Sequence, residues 1–198
     1  FDRPNAEAVI EERLVGQELS VMMLTDGRST LHLPLAQDHK RLGEGDTGPM
    51  TGGMGAVAPV PLLSEAQRER LDREIVQPVL QGMHADGVDY RGALFLGVMW
   101  TEDGPRLLEI NVRLGDPEAQ TVLPLMENDL AGVLEAIDQR RLAEVTPTWR
   151  PGAVATVVMA APGYPGAAET GLPVEVPEGL EPDVWMFHAG TRRDGGRL

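Results

Sequence analysis

The chain has 198 residues, enough for one domain or for a larger piece joined to a smaller one, and its 42% hydrophobic content suffices for a packed core. Only 4% of the residues are aromatic, so that core must be aliphatic, and the net charge of −14 argues against nucleic-acid binding through general attraction to phosphates. No cysteine is present, which excludes disulfides and thiolate metal sites, and no apolar run reaches the ~18 residues that span a bilayer. With no signal peptide ahead of the first expected strand, these features point to a soluble cytoplasmic protein.

Phe1–Asn5 carries neither a start methionine nor a helix cap, which suggests a chain whose N-terminal part lies elsewhere. Val9 to Leu14 reads as a strand ending at Gly16, and Leu19 to Leu24 as a second. Thr25-Asp26-Gly27-Arg28 then supplies a turn, since an Asp-Gly pair between apolar runs is a strong hairpin signal, and Ser29 to Ala36 returns as a third strand. Gln37 to Gly55 follows, with six glycines in the thirteen residues from Gly43. Such a density fits neither a helix nor an ordinary strand, and glycine is concentrated where backbone must approach something small. Ser64 to Met83 reads as a helix: Ser64 and Gln67 have capping-box spacing, Leu71, Ile75, Val79 and Leu80 recur at helical intervals, and Pro78 is placed to bend it.

Gly92 to Trp100 and Arg106 to Val112 form a second hairpin around Glu102-Asp103-Gly104, and the first run, apolar on both faces, belongs at the sheet centre. Helix is expected from Asp116 to Leu123 and again from Asp129 to Arg140, with Leu130, Val133, Leu134 and Ile137 on one face. After Thr146 the style changes to an apolar strand, Ala153 to Ala161, and a Pro- and Gly-rich stretch. The expected organisation is therefore α/β (α+β), an antiparallel sheet with packed helices over 1–146 and part of a small β-rich domain with two or three strands over 147–198.

Three segments can carry chemistry. In Leu108-Glu109-Ile110-Asn111-Val112-Arg113, alternation puts Glu109, Asn111 and Arg113 on one face and Leu108, Ile110 and Val112 in a core. A carboxylate and an amide oxygen about 7 Å apart along a strand can converge on one hard cation such as Mg²⁺. The same alternation also suits a half-buried strand with a wet polar face, and spacing alone leaves both readings open. The segments Ile10 to Leu14 and Gly16 to Glu18 are either an exposed strand end or an adenine-binding edge, whose backbone meets the purine while Glu18 accepts from ribose hydroxyls. His39 reads as a loop anchor, and Lys40, the sole lysine, is a candidate phosphate ligand.

Taken together, VIEERLVGQELS, AQDHKRLGEGDTGPMTGGMGAVAPVP, YRGALFLGVMW, LLEINVRLGDPEAQ and FHAGT resemble the phosphoribosylamine–glycine ligases (glycinamide ribonucleotide synthetases) of the ATP-grasp superfamily. That resemblance implies a lobe of the ATP-grasp fold and a monomer, with the family's N-terminal region and its phosphate-gripping lid absent. It also implies ATP-dependent joining of glycine to 5-phosphoribosylamine through a glycyl phosphate, giving glycinamide ribonucleotide in purine biosynthesis. Glu109 and Asn111 would hold Mg²⁺ or Mn²⁺; Glu11, Glu12 and Leu14 would meet adenine and Glu18 the ribose. Arg113, Asp46 and Glu118 would serve the chemistry, with Lys40, Gly48, Gly52, Gly53 and Gly55 forming the substrate loop. Another ATP-grasp ligase and a non-catalytic nucleotide-binding module are the competing readings. The sequence departs from the family pattern at Met50, where asparagine is usual, and at Gly97, where many ATP-grasp enzymes carry a further carboxylate.

Overall fold

The computed structural model describes residues 8–61 and 63–195. Its first half holds β1 (Gln17–Thr25), β2 (Thr30–His32), β3 (Gln37–Asp38), β4 (Arg41–Gly43), β5 (Thr47–Met50), β6 (Gly55–Ala58), α1 (Glu65–Leu71) and α2 (Gln77–Ala85). Its second half holds β7 (Gly92–Thr101), β8 (Gly104–Asn111), α3 (Glu118–Val122), α4 (Leu130–Asp138) and β9 (Val154–Val157).

Both Asp-Gly hairpins form, and they meet in one antiparallel sheet of order β2-β1-β7-β8, so β7 is central as its two-sided apolar pattern requires. Alternation divides the central strands between two cores. Leu19, Val21 and Met23 of β1 and Leu94, Leu96 and Val98 of β7 pack with Leu71, Ile75 and Val76 on one face. Met22, Leu24 and Phe95 pack with Val122, Leu125, Val133 and Ile137 on the other. Helices thus cover both faces, each anchored by buried aliphatic side chains.

The long helix starts where expected. Ser64 caps it, accepting from the Gln67 amide while the Gln67 side chain accepts from the Ser64 amide. Between α1 and α2 the backbone widens into a π-helical turn over Asp72–Val76, just ahead of Pro78. Proline lacks an N–H and its ring crowds the carbonyl four residues back, which the wider turn relieves.

Several expectations are corrected. Val9 to Leu14 is not a strand; Val9 is 86% and Ile10 95% exposed. Pairing begins at Gln17 opposite Trp100, and β7 ends one residue later, so no partner remains for the residues before Gln17. The third strand is regular only over Thr30–His32, although Leu33 and Ala36 still donate to the β1 carbonyls of Met22 and Ser20. Leu108, Ile110 and Val112 are 41%, 47% and 68% exposed rather than core, and β8 is the edge of its sheet, with a partner strand on one side alone. Helix is interrupted after Leu125, where Met126 turns extended, and Leu134 is half exposed while Ala136 is buried in its place. In 147–195, β9 is the one named strand among the described residues. Val174, Trp185 and Phe187 stay 41–52% exposed on irregular backbone.

Candidate functional site

The site lies on the sheet face that α3 covers. Ser20 of β1 pairs with Gly97 of β7, and Gly97 with Glu109 of β8, so the three form one row across the sheet. Met22, Phe95 and Asn111 form the next row, which sets Asn111 beside Glu109 on the same face, as alternation predicts. The absence of a side chain at Gly97 matters here: a Cβ would lie 2.9 Å from Glu109 Cγ, so the acidic side chain occupies that space.

A cavity of about 220 Å³ opens over this row, lined by Glu18, Ser20, Asp38, Lys40, Gly97 and Glu109 among others. Lys40 Nζ lies 3.2 Å from Glu18 Oε2. Burial lowers the Lys40 pKa, but Glu18, Asp38 and Glu109 outweigh it and the ammonium is held above its ordinary value. Glu118, at the start of α3, is only 2% exposed and accepts from Ser20 Oγ at 2.6 Å. Asp38 Oδ1 is buried with no hydrogen-bond partner. Burial first, and then the neighbouring Glu118 charge, push the Asp38 carboxyl up to about 7, against the opposing pull of Lys40 and the His39 amide.

The glycine-rich segment splits in two. Residues 41–50 form an exposed two-stranded ribbon of β4 and β5 with a register shift, so Gly43 and Gly48 do sit in short strands, contrary to expectation. Asp46 lies at its tip with φ 58°, and neither Asp46 nor Gly48 lines the cavity. Residues 51–55 instead press against the site. Gly53 has φ 132°, and a Cβ there would come within 2.6 Å of Pro117 Cδ and 2.9 Å of Asp38 Oδ1. Gly52 N–H donates to the Tyr164 hydroxyl at 2.9 Å, and Gly55 is buried in β6, paired with Val157 of β9. The main chain of His39 donates to the Gly55 carbonyl and accepts from the Met54 amide.

The structure therefore gathers Glu18, Lys40 and Glu109 around one cavity, with Asn111, Glu118 and Gly53 adjoining it. Arg113 lies past the end of β8 and donates to the Leu114 carbonyl. Glu11 and Glu12 are exposed, Leu14 is half-buried, and none of the three lines the cavity. Sequence reasoning passed over Ser20, Asp38 and Tyr164. Asp38 stood inside the quoted QDHKR motif, but its burial arises from Gly53 and α3, which are distant in sequence. Among the described residues no three His, Asp or Glu side chains cluster as a metal site. Glu109 and Asn111 still offer two adjacent oxygen donors, a set that suits Mg²⁺, which keeps several waters.

Residues 1–119 match the family model of the phosphoribosylglycinamide synthetase ATP-grasp (A) domain. The chain belongs to this family. It is 45% identical over its whole length to a phosphoribosylamine–glycine ligase of Agrobacterium fabrum, and 49% identical over 97% of its length to that of Chlorobaculum tepidum. The chain spans about half of these relatives, 47% and 46% of their lengths. The crystal structure of a phosphoribosylamine–glycine ligase from Thermotoga maritima superposes with a TM-score of 0.81 at 37% identity, covering 94% of this chain and 46% of that one. The fold is thus an ATP-grasp lobe, α/β with antiparallel sheets and packed helices, as family membership implies. No helix among the described residues is long and apolar enough to cross a membrane.

Proposed function

We propose that this chain is the catalytic lobe of an ATP-dependent carbon–nitrogen ligase that joins glycine to 5-phosphoribosylamine. The products are glycinamide ribonucleotide, ADP and phosphate, and the intermediate is glycyl phosphate. The observation that carries the reading is the convergence of Glu18, Lys40 and Glu109 on one cavity beside Asn111, in a chain of this family.

Each residue's role follows from its chemistry. Glu109 and Asn111 supply oxygen ligands for Mg²⁺ or Mn²⁺, which when bound neutralises charge on the nucleotide phosphates and the transferring phosphoryl group. Lys40, held cationic by its acidic neighbours, attracts phosphate oxygens into the cavity. Glu18 accepts from ribose hydroxyls, and the backbone of Glu11, Glu12 and Leu14 meets the adenine. Gly52, Gly53 and Gly55 bring backbone close to the amino-acid and amine substrates, with Glu118 at the back of that pocket. Arg113 pairs with phosphate, and Asp46 and Gly48 reach the substrates from the exposed ribbon. In the same reading the chain divides near Thr146 into this lobe and part of a smaller domain, and the enzyme acts as a cytoplasmic monomer.

The test is ADP release by an enzyme of full family length carrying this chain, with glycine and phosphoribosylamine each omitted in turn. Release that requires both supports the reading. Release with neither, or with a different carboxylate or amine, replaces it with another ATP-grasp ligase.

A further inference from the structure

Two parts of the site, Lys40 and the glycine-rich loop, are joined by one side chain that the roles above leave out. Lys40 lines the cavity at the point where the ribbon of residues 41–50 departs, and no residue of that ribbon is buried to hold it in place. The Lys40 carbonyl accepts twice from Thr51, where the ribbon returns: from the amide at 2.8 Å and from Oγ1 at 2.8 Å. The same Oγ1 accepts from the Gly53 amide at 3.0 Å. The hydrogen bond from the Thr51 amide closes the base of the ribbon by itself. What the hydroxyl adds is a bridge from the main chain of the lysine to that of Gly53. Gly53 is buried against Pro117, next to Glu118, with no room for a side chain. One oxygen atom thus ties the cation of the cavity to the loop that abuts the start of α3.

We propose that Thr51 is a positioning residue, whose hydroxyl fixes the spacing between the phosphate side of the site at Lys40 and the amino-acid side at Gly53. This rests on the ligase reading. In its first step a carboxylate oxygen of glycine bonds to the terminal phosphorus of ATP. The bond from that phosphorus to the bridging oxygen breaks, and its electrons leave with ADP. The transfer needs the reacting atoms about 3–3.5 Å apart, and a small misplacement costs rate steeply. The Lys40 ammonium and the other glycines of the loop lie outside the bridge. Each substrate therefore keeps its own contacts when the bridge is lost, and the loss falls on the rate of transfer and not on either affinity.

The experiment compares the native enzyme of full family length with Thr51→Val and Thr51→Ser. Valine keeps the β-branched shape and the main-chain amide but has no hydroxyl, and serine keeps the hydroxyl. ADP formation in a single turnover is followed as MgATP and glycine are varied in turn, with phosphoribosylamine present. In Thr51→Val the limiting rate should fall at least about tenfold, while the half-saturating concentrations of both substrates stay within about threefold of native. Thr51→Ser should hold the limiting rate within about threefold of native. A smaller fall in the valine variant overturns the proposal, as does a loss confined to the half-saturating concentrations. Serine falling as far as valine overturns it too. Should the valine variant not fold, serine decides: a limiting rate within about threefold of native supports the bridge, and a larger loss overturns it. A native enzyme that forms no ADP with both substrates present overturns the ligase reading itself, a failure that the native control separates from any failure at Thr51.

Discussion

At Asp26 a single carboxylate joins the first hairpin to the segment after α4. Its Oδ1 accepts from the amides of Arg28 and Ser29 at 2.9 and 2.7 Å, and its Oδ2 from the Leu142 amide at 3.0 Å. The residue is 1% exposed. Burial raises its pKa, but the amides of Ser29, Arg28 and Leu142 outweigh burial, and the net value falls below the 3.8 of an unperturbed carboxyl. The folded form therefore favours the carboxylate, so the stabilisation is present above pH 3.8 and lost as pH falls through the lower folded value. Asp26→Ala leaves three amides unsatisfied and is expected to cost about 2–4 kcal/mol at pH 7, less at pH 3, measured by urea unfolding at both. The metal-side pair gives a second prediction at this scale. Glu109→Gln or Asn111→Ala in the full-length enzyme should lower ligation about a hundredfold or more with the fold intact. Turnover near the native rate with the same metal dependence would remove these two residues from the site.

Among the elements, Tyr164 links the segment after β9 to the glycine-rich loop through Gly52 N–H. Tyr164→Phe removes that acceptor and nothing else. Hydrogen exchange at the Gly52 amide should accelerate about tenfold, while amides of β1 and β7 keep their native rates. Equal exchange at Gly52 would mean that the loop is held by Thr51 and the β6 pairing alone. The elements most legible in the sequence were those with local punctuation: the Asp26-Gly27 and Asp103-Gly104 hairpins and the Ser64 cap. Those that misled had a local pattern without a partner. Val9 and Ile10 open Val9 to Leu14 as an apolar run does a strand, but its neighbour β7 has already ended. Ile110 sits on the apolar phase of β8 and Val112 just past its end, and alternation correctly set Glu109 beside Asn111. Whether that apolar phase is covered depends on edge position, which no local period encodes. Asp38 was hidden for the same reason, since its environment is assembled from three distant segments.

The whole molecule carries a net charge of −14, and its cavity gathers Glu18, Asp38 and Glu109 against the one lysine. A polyphosphate meets net repulsion there unless a divalent cation bridges it. The chain also spans about half the length of its relatives. The isolated 198-residue chain is therefore expected to show no ligase activity and to bind MgATP weakly. Calorimetry checks this, and tight binding would place the nucleotide site wholly within this lobe.

The exposed apolar side of β8 has a consequence for how the isolated chain behaves as a colloid. An edge strand with unpaired backbone groups and an uncovered Ile110, followed at once by the exposed Val112, is a template on which another copy can add a strand. Mutual repulsion between highly acidic molecules opposes that growth, and the opposition weakens as salt shortens the screening length. Light scattering of the isolated chain should therefore rise as salt is raised from about 20 mM to about 0.5 M, and a lysine at position 110 (Ile110→Lys) should suppress the rise. In this lobe, resistance to aggregation is then a property of its charge and not of its edges.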